Sequence, residues 1–448
     1  MINICYNSHM DSSFSSNDTP KQSSHDNRVH PAVIATISTI VGLVVGALGV
    51  YGLIKLIEKP CNCPKGSTSV DLQNLKGLEL VDLGFLKLES DSKNLIYSPL
   101  SIRYGLSLLS AGAKGETKEE ITKLLTEAQL PRYQNVPDSL SLANAVFVRD
   151  TFKDAVLPKY TQIVKDDYNG EILYDDFASS HNMNSWVDKK TFGLIDQIGV
   201  TPNMNTQIVL ANALAIQMDW KHGFDAHDTL GETFYLADGS EMQATTMYQE
   251  TNASDIRYFT DESTTAISLP LDSTDSNVDL EFVAIMPSGN LDEYTKGVNY
   301  SVLSSVIDQM MPANEQKGGV IIRIPKFKFD YKLNFKDDLE SLGIKTAFNE
   351  RTADFSELAS EPLYVGEASH NANIDFSEEG IKAAAVTSFG LNAKSSEDEA
   401  NPVIININRP FLFIIRDTKN STNWFTGTVY QPNLWDDDAA SYGWYREN

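Results

Sequence analysis

Residues 378–396, EEGIKAAAVTSFGLNAKSS, decide the fold of this chain; they precede an acidic triplet and the strand-like run VIININRPFLFIIRD. A stretch this long between strands is uncommon in a compact domain unless it is functional. Side chains suited to burial alternate along it with polar ones, at Ile381, Ala383, Ala385, Thr387, Phe389 and Leu391. That period of two is typical of a strand. The pattern predicts an exposed loop that can also become a sheet strand, although an ordinary Ala-rich turn or hairpin loop is the alternative if the segment is taken alone.

The sequence on either side of this segment predicts an α+β arrangement built around large sheets. Helical spacing of apolar residues marks 72–89, 102–110 and 117–128, and Thr117 with Glu120 forms a capping-box pattern at the start of the third. Short β-rich runs bounded by turn residues follow: IVLANALAIQM, ETFYLA, AISLPL, LEFVAIMP, GVIIRIPKFKF and PFLFIIRD. The first of these is apolar throughout, which indicates a strand buried on both faces.

The composition excludes several classes of function. The 448 residues include 61 acidic and 36 basic side chains, a net charge of −25. Nucleic acid is therefore not an expected partner, because phosphate recognition needs a basic surface. Few basic residues lie within 117–137, so a heparin-type site is not expected there either.

Motifs for catalysis, metal binding and cofactor binding are missing from the sequence. It contains no Gly-x-Ser-x-Gly, His-Glu-x-x-His, Walker or Gly-x-Gly-x-x-Gly motif. Cys61 and Cys63 lack the second pair that a zinc site needs. We therefore expect no enzyme activity, no metal and no cofactor.

The amino-terminal region is predicted to anchor the chain in a membrane. Residues 1–31 are polar and predict a disordered tail, residues 32–54 carry no charge, and residues 55–71 form a juxtamembrane spacer. A helix over 32–54 would be about 35 Å long, enough to span a bilayer. A cleaved signal peptide and a buried core helix are the alternatives. Small residues at four-residue spacing make a dimer through this helix a weak possibility.

The predicted orientation places the following domain outside the cytoplasm, in a single-pass arrangement. Asn-x-Ser/Thr sequons at Asn252, Asn299 and Asn420 are possible glycosylation sites and favour this orientation. The lysines and arginines beside the helix favour the opposite orientation by one charge. A fourth sequon at Asn17 lies on the other side of the helix, so such triplets also arise here by chance.

The motifs of the domain, in their order along the chain, resemble those of the serpin family. They are Ser98-Pro99-Leu100-Ser101-Ile102, LSAGAKGET at 109–117, Leu142-Ala143-Asn144-Ala145, Asn184-x-Trp186-Val187, 210–224 with Asn212 and Trp220, Pro325-Lys326-Phe327, Leu342-Gly343-Ile344, Ala353-Asp354-Phe355-Ser356, His370-x-Ala372, Glu378-Glu379-Gly380, Arg409-Pro410-Phe411-Leu412-Phe413 and Phe425-x-Gly427. The resemblance covers 72–432, and an acidic and aromatic tail at 433–448 lies beyond it.

The resemblance implies a serpin fold, with about nine helices, three β-sheets and an exposed reactive-centre loop. It also implies a suicide inhibitor of a serine endopeptidase: the protease cleaves the loop, and the loop inserts into the main sheet before the acyl-enzyme is hydrolysed. A non-inhibitory serpin that acts as a carrier, chaperone or cell-surface interaction protein is the alternative.

Roles for individual residues follow from the resemblance. The family spacing from Gly380 places the reactive bond at Lys394–Ser395, which implies a trypsin-like target, whereas a shifted register would make Ser395 or Ser396 the bait. The loop hinge corresponds to Glu378, Glu379, Gly380, Ile381, Lys382, Ala383, Ala384, Ala385, Val386 and Thr387. The shutter behind the sheet opening corresponds to Ser98, Ser101, Asn212 and His370. The breach, where insertion begins, corresponds to Trp220. Two departures are Met218 and Ile381, where the family usually has smaller residues.

Overall fold

The computed structural model describes residues 2–6, 72, 75–126, 130–273, 277–381 and 401–435. Within these ranges the chain forms eight α-helices, four short 3-10 segments and three β-sheets. The helices are α1 Leu78–Glu89, α2 Pro99–Gly112, α3 Gly115–Leu125, α4 Pro158–Tyr168, α5 His181–Lys190, α6 Leu291–Gly297, α7 Tyr300–Asp308 and α8 Lys336–Leu342.

Nineteen strands lie in the described residues, and each of the six predicted β-rich runs forms one or two of them. They are β1 Ile2–Tyr6, β2 Leu95–Tyr97, β3 Leu140–Arg149, β4 Glu171–Asp175, β5 Thr206–Ile216, β6 Met218–Asp219, β7 Leu230–Tyr235, β8 Glu241–Thr251, β9 Arg257–Thr260, β10 Thr264–Pro270, β11 Leu280–Pro287, β12 Met311–Pro312, β13 Val320–Pro325, β14 Phe327–Asn334, β15 Leu363–Phe376, β16 Gly380–Ile381, β17 Val403–Asn406, β18 Phe411–Asp417 and β19 Thr422–Val429.

The main sheet has eight strands in the order β4-β3-β5-β1-β15-β16-β6, and β14 pairs with β15. A second sheet of seven strands has the order β12-β9-β10-β11-β18-β19-β2, and a third of four strands has the order β17-β13-β8-β7. The predicted α+β class and the three sheets are therefore confirmed.

Strand β5 is buried on both faces, as its uninterrupted apolar sequence predicts. Ile208 and Leu210 belong to the core cluster that includes α1 and α2, whereas Val209 and Ala211 belong to a smaller cluster that packs against Trp186 of α5. Another aromatic core cluster joins the main sheet to the second sheet near the carboxyl end of β15. These layers hold β5 and β15 in place as the two strands that border the site described below.

The predicted capping box at the start of α3 is wrong. The residue before the helix is Lys114, so Thr117 lies inside the first turn and is buried. Its hydroxyl accepts a hydrogen bond from the Asp354 N–H, and Glu120 Oε2 accepts hydrogen bonds from the N–H groups of Lys345 and Thr346. Both side chains are thus used in contacts with a distant segment, which local sequence spacing does not encode.

The amino terminus also differs from its prediction. We expected 1–31 to be disordered, but Ile2–Tyr6 form β1 in the main sheet. The physical reason is that β5 and β15 present unpaired backbone edges, and a short segment with β-branched residues satisfies them. The predicted membrane helix at 32–54 and the spacer at 55–71 lie outside the described residues. No helix within the described ranges has the length and apolar character needed to cross a bilayer.

The carboxyl-terminal boundary extends slightly beyond residue 432. The Thr245 N–H donates to the carbonyl of Asn433, and the Trp435 N–H donates to the carbonyl of Gln243 in β8. The first residues of the predicted tail therefore join the third sheet, and 436–448 lie outside the described residues.

Candidate functional site

The candidate site is a gap in the main sheet between β5 and β15, which we call the slot. These two strands do not pair with each other anywhere in the described structure, because other segments lie between them at both ends. Strand β16 enters the upper end, beside Phe376, and β1 fills the lower end, beside Leu363. Between them lies a cavity of about 50 Å³, whose lining includes Asn212, His370 and Ile381.

The upper end of the slot contains the start of the predicted hinge. Gly380 pairs with Asp219, while Ile381 pairs with Met218 on one side and Phe376 on the other. Ile381 is buried, so its apolar side chain already occupies the sheet. A Cβ added at Gly380 would collide with the carbonyl oxygen of Met218, so only glycine permits this close approach.

Trp220, the predicted breach residue, holds the chain just before the hinge. Its backbone N–H donates to the Glu379 carbonyl and its indole Nε1–H donates to the Ser377 carbonyl, both at 2.8 Å. Its ring lies 5.1 Å from that of Phe376 and 6.0 Å from that of Phe282, in edge-to-face arrangements. The indole therefore fixes the turn that leads into β16 through both polar and apolar contacts.

An ion pair between the buried Glu378 and the partly exposed Lys326 also fixes this turn. Glu378 Oε2 lies 2.7 Å from Lys326 Nζ, and its Oε1 accepts a hydrogen bond from the Thr229 hydroxyl at 2.7 Å. Burial by itself would raise the pKa of the Glu378 carboxyl, but the hydrogen bonds from Lys326 and Thr229 outweigh it and lower that pKa. The carboxylate thus ties the hinge to the third sheet as a charged group.

The predicted shutter residues lie together behind the slot. The Ser98 N–H donates to His370 Nε2 at 2.9 Å, and Ser98 Oγ accepts from the Ser101 N–H at 3.0 Å. The Ser101 hydroxyl donates to Asn212 Oδ1, and Asn212 Nδ2–H donates to Asn144 Oδ1 at 2.8 Å. Side chains on α2, β3, β5 and β15 thus form one connected network across the slot.

His370 is a neutral, hydrogen-bonded residue of this network. Burial lowers the pKa of its imidazole to about 3. Nε2 accepts a hydrogen bond from a backbone donor, which a protonated ring could not do. The ring also meets Phe335 edge-on, with 6.3 Å between ring centres.

Comparison with known proteins agrees with the motif resemblance. A family model described as "Serpin (serine protease inhibitor)" matches residues 83–432. The chain belongs to the serpin family. A serine protease inhibitor of Cyanea capillata is 30% identical over 364 residues, covering 76% of this chain and 93% of that protein. The leukocyte elastase inhibitor of Xenopus laevis is 27% identical over 368 residues, covering 76% and 93%. The solved structure of tengpin, a thermophilic serpin in its native state, matches with a TM-score of 0.65 at 27% identity, covering 76% of this chain and 89% of tengpin.

Most of the reactive loop of this serpin falls outside the described residues. Lys382, Ala383, Ala384, Ala385, Val386, Thr387, Lys394 and Ser395 all lie in the range 382–400, so the predicted reactive bond has no described geometry. The described part of the hinge ends at Ile381. The structure therefore brings together the predicted shutter, breach and first hinge residues, and the predicted bait lies outside the described residues.

The three possible glycosylation sites of the serpin domain differ in their surroundings. Asn252 and Asn420 are exposed, whereas Asn299 is partly buried and its Oδ1 accepts a hydrogen bond from the Val302 N–H at the start of α7. The Asn420 amide donates to Asp417 Oδ2 at 2.5 Å. Asn252 is the side chain that the described contacts leave best placed for modification.

Sequence reasoning missed three parts of this serpin site. Asn144 belongs to the motif Leu142-Ala143-Asn144-Ala145, which predicts no contact for it, yet its side chain accepts from Asn212 Nδ2–H and donates to the Tyr168 carbonyl at 2.9 Å. Lys326 likewise belongs to a motif, but the spacing of that motif along the chain does not predict its ion pair with Glu378. Strand β1 was missed because residues 1–31 were judged by their average polarity, although the run INICY has the apolar alternation of a strand.

Proposed function

We propose that this serpin is a suicide inhibitor of a trypsin-like serine endopeptidase and not an enzyme. The observation that carries the proposal is the state of the slot: Gly380 and Ile381 already pair at its upper end, and an open cavity lies directly below them. A loop cleaved beyond Ile381 can extend this pairing downward by adding backbone hydrogen bonds to both neighbouring strands.

The proposed chemistry is a trapped acyl-enzyme. The protease serine attacks the carbonyl carbon of Lys394, the peptide bond to Ser395 breaks, and the amine of Ser395 leaves with the downstream chain. The Lys394 carbonyl then remains as an ester on the protease. Insertion of the cleaved loop carries that ester, with the protease, away from the position in which water would complete the cycle. The lysine side chain suits a specificity pocket with an acidic floor.

The test is to mix the full chain with trypsin-like and subtilisin-like proteases and to look for a covalent complex by denaturing electrophoresis. We expect a complex with the trypsin-like enzymes that Lys394→Ala abolishes. The matched control is Lys317→Ala, which removes an exposed lysine from a turn far along the chain from the loop. Clean cleavage without a complex contradicts the proposal, and a complex that survives Lys394→Ala moves the bait to another bond.

A non-inhibitory role as a carrier, chaperone or surface interaction protein is the second candidate. The observation that favours it is the occupied lower half of the slot, because β1 holds strand positions that an inserting loop needs. A loop that is cleaved by every protease, with no complex and no gain in thermal stability, would support this candidate over the first.

We further propose that the serpin domain is tethered to a membrane through 32–54, with the domain outside the cytoplasm and modified at Asn252. This proposal rests on the uncharged run and on the sequons of the sequence. Extraction of expressing cells at alkaline pH should leave the protein in the membrane fraction, and glycosidase treatment should shift its mobility. Release at alkaline pH would contradict the tether. Loss of the glycosidase shift in Asn252→Gln would locate the glycan.

A further inference from the structure

Strand β1 is bound between the two strands that border the slot. Ile2 lies opposite Ala368 of β15 and Leu210 of β5, and the pairing runs down to Tyr6 opposite Leu363. It is antiparallel to both neighbours. A segment from the far amino-terminal end of the chain thus satisfies the backbone edges at the lower end of the slot.

The register of the hinge shows which part of the loop would need the same positions. Ile381 lies opposite Phe376, and in an antiparallel pair each later residue of one strand meets an earlier residue of the other. Continued without a bulge, this register brings Phe389 opposite Ala368 and Lys394 opposite Leu363. These are the two levels at which β1 begins and ends. The second half of the loop and β1 therefore require the same hydrogen-bonding partners.

We propose that, in a molecule whose residues 32–54 do not cross a bilayer, residues 2–6 are an autoinhibitory strand that fills the lower slot of the same molecule and must leave before the cleaved loop can insert fully. The proposal rests on the inhibitory function proposed above. With β1 in place, the loop can enter the open cavity below Ile381, but it stops where Phe389 would meet Ile2.

The expected effect is on the speed of insertion more than on its final extent. When the loop inserts fully, its backbone hydrogen bonds to β5 and β15 replace those of β1 at the same levels. The number of these hydrogen bonds therefore differs little between the state with β1 bound and the state with the loop inserted. The exchange nevertheless requires β1 to separate from two strands first. Slower insertion gives water more time to hydrolyse the ester, so the protease is released and the serpin is consumed as a substrate.

A disulfide cross-link tests the position of β1 without any protease. Cys5 lies opposite Tyr364, and directly opposed residues of an antiparallel pair have Cα atoms at a distance that a disulfide can bridge. The full chain carries Tyr364→Cys, with Cys61→Ser and Cys63→Ser to remove the other thiols. Oxidised glutathione should join Cys5 to the introduced thiol within one chain, and peptide mapping detects that disulfide. The control is Asn373→Cys in the same background, which lies above the level of β1 and should not cross-link.

The cross-link has two contradicting outcomes. Absence of the disulfide would show that β1 does not occupy the slot, and a disulfide that joins two chains would show that a second copy supplies the strand. Either result overturns the proposal.

The variant that carries Tyr364→Cys, Cys61→Ser and Cys63→Ser also tests autoinhibition. Its reduced form serves as the control for correct folding. Trapping of a trypsin-like protease should be slower by roughly tenfold or more in the oxidised form, because β1 can no longer leave, and reduction should restore it. Deletion of 2–6 should raise the trapped fraction above that of the parent chain, whereas deletion of 12–16 in the same tail should not. Equal trapping by oxidised and reduced forms overturns the proposal and leaves the inhibitory function standing. Failure of every form to trap a protease, the 2–6 deletion included, overturns the inhibitory function itself.

Discussion

Gly380 lies at the upper end of the slot and His370 lines the cavity below it, and the two residues support the slot through different contacts. Gly380 allows two backbones to approach because it has no Cβ, and this contact is what admits the hinge to the sheet. His370 stays uncharged and accepts a backbone hydrogen bond from Ser98, which connects β15 to α2. Each residue therefore has a role that a conservative substitution can probe separately.

The close contact at Gly380 predicts that Gly380→Ala loosens the hinge. The added methyl group would meet the Met218 carbonyl, and overpacking of this kind costs about 1–3 kcal/mol. We expect faster hydrogen exchange at the Trp220 amide, which donates to the Glu379 carbonyl. Gly289→Ala is the control, since a Cβ there has no neighbour within 4 Å. Equal exchange in the two variants would mean that the hinge does not depend on this contact.

The lowered pKa of His370 predicts a loss of stability in acid. The imidazole has a pKa of about 3 when folded against an ordinary value of 6.5, so the unfolded chain takes up the proton first as pH falls. This contribution is fully present above pH 6.5 and is lost, at about 1.4 kcal/mol per pH unit, as pH falls toward 3. Urea unfolding should therefore depend less on pH in His370→Gln than in the parent chain.

The result that would contradict this prediction is a urea midpoint with the same pH dependence in His370→Gln and in the parent chain. The acid sensitivity would then not come from the His370 imidazole.

At the scale of elements, the hinge is attached to the body of the protein through three neighbours. Strand β6 pairs with β16, the loop after β6 carries Trp220, and Lys326 lies between β13 and β14. The lysine contributes through the buried Glu378 carboxylate, so this attachment depends on charge as well as on backbone pairing.

The ion pair predicts that Lys326→Met releases the hinge. The Glu378 carboxylate would lose its ion pair while keeping the Thr229 hydrogen bond, and an under-satisfied buried group costs about 1–3 kcal/mol. We expect faster hydrogen exchange at the Phe224 amide, which donates to the Glu378 carbonyl at 3.0 Å. Lys328→Met removes the exposed pair with Asp375 from the same segment and should have little effect, since surface pairs contribute little. Similar exchange in both variants would contradict a role for the buried pair.

Elements could be predicted from the sequence wherever local pattern and burial agree. The apolar runs of β5 and β18 predicted the correct strands, because each strand is surrounded by packed layers. Thr117 and Glu120 misled, since their hydroxyl and carboxylate bind residues that are distant in the chain. The alternation in residues 2–6 is compatible with a strand, but local pattern does not show that the partners of β1 are the distant strands β5 and β15.

The candidate site likewise has one part that the sequence predicts and another that it does not. Motif order predicted a set of shutter residues, and the structure connects them by hydrogen bonds around Asn212. The link from Lys326 to Glu378 is a long-range contact between two motif residues, and spacing alone carries no information on it.

At the scale of the whole molecule, the main sheet is interrupted in its centre. Its shutter network crosses the gap with side chains while the backbone edges above β1 stay apart around the cavity. A new strand in that gap would add hydrogen bonds on two edges and bury more apolar surface, so we expect a sheet that accepts the loop to be more stable than the present arrangement.

The interrupted sheet predicts that cleavage within 382–400 stabilises the protein. Insertion of the cut loop should raise the thermal midpoint by roughly 5 °C or more in calorimetry, since each kcal/mol of added stability shifts the midpoint of a large domain by a few degrees. A chain nicked instead in an exposed turn, such as 237–240, should show no such rise. An unchanged midpoint after loop cleavage would show that the sheet does not accept the loop.

Strand β1 also has a topological consequence. Residues 2–6 lie in the same sheet as the serpin domain, so in that arrangement the first residues of the chain and the domain share one compartment. A single crossing of a bilayer by 32–54 would put them on opposite sides. The two arrangements exclude each other within one molecule, and membrane insertion would therefore withdraw the strand from the slot. The cross-link between Cys5 and the thiol introduced by Tyr364→Cys, compared between membrane-bound and membrane-free protein, would then report on which side of the bilayer the chain begins.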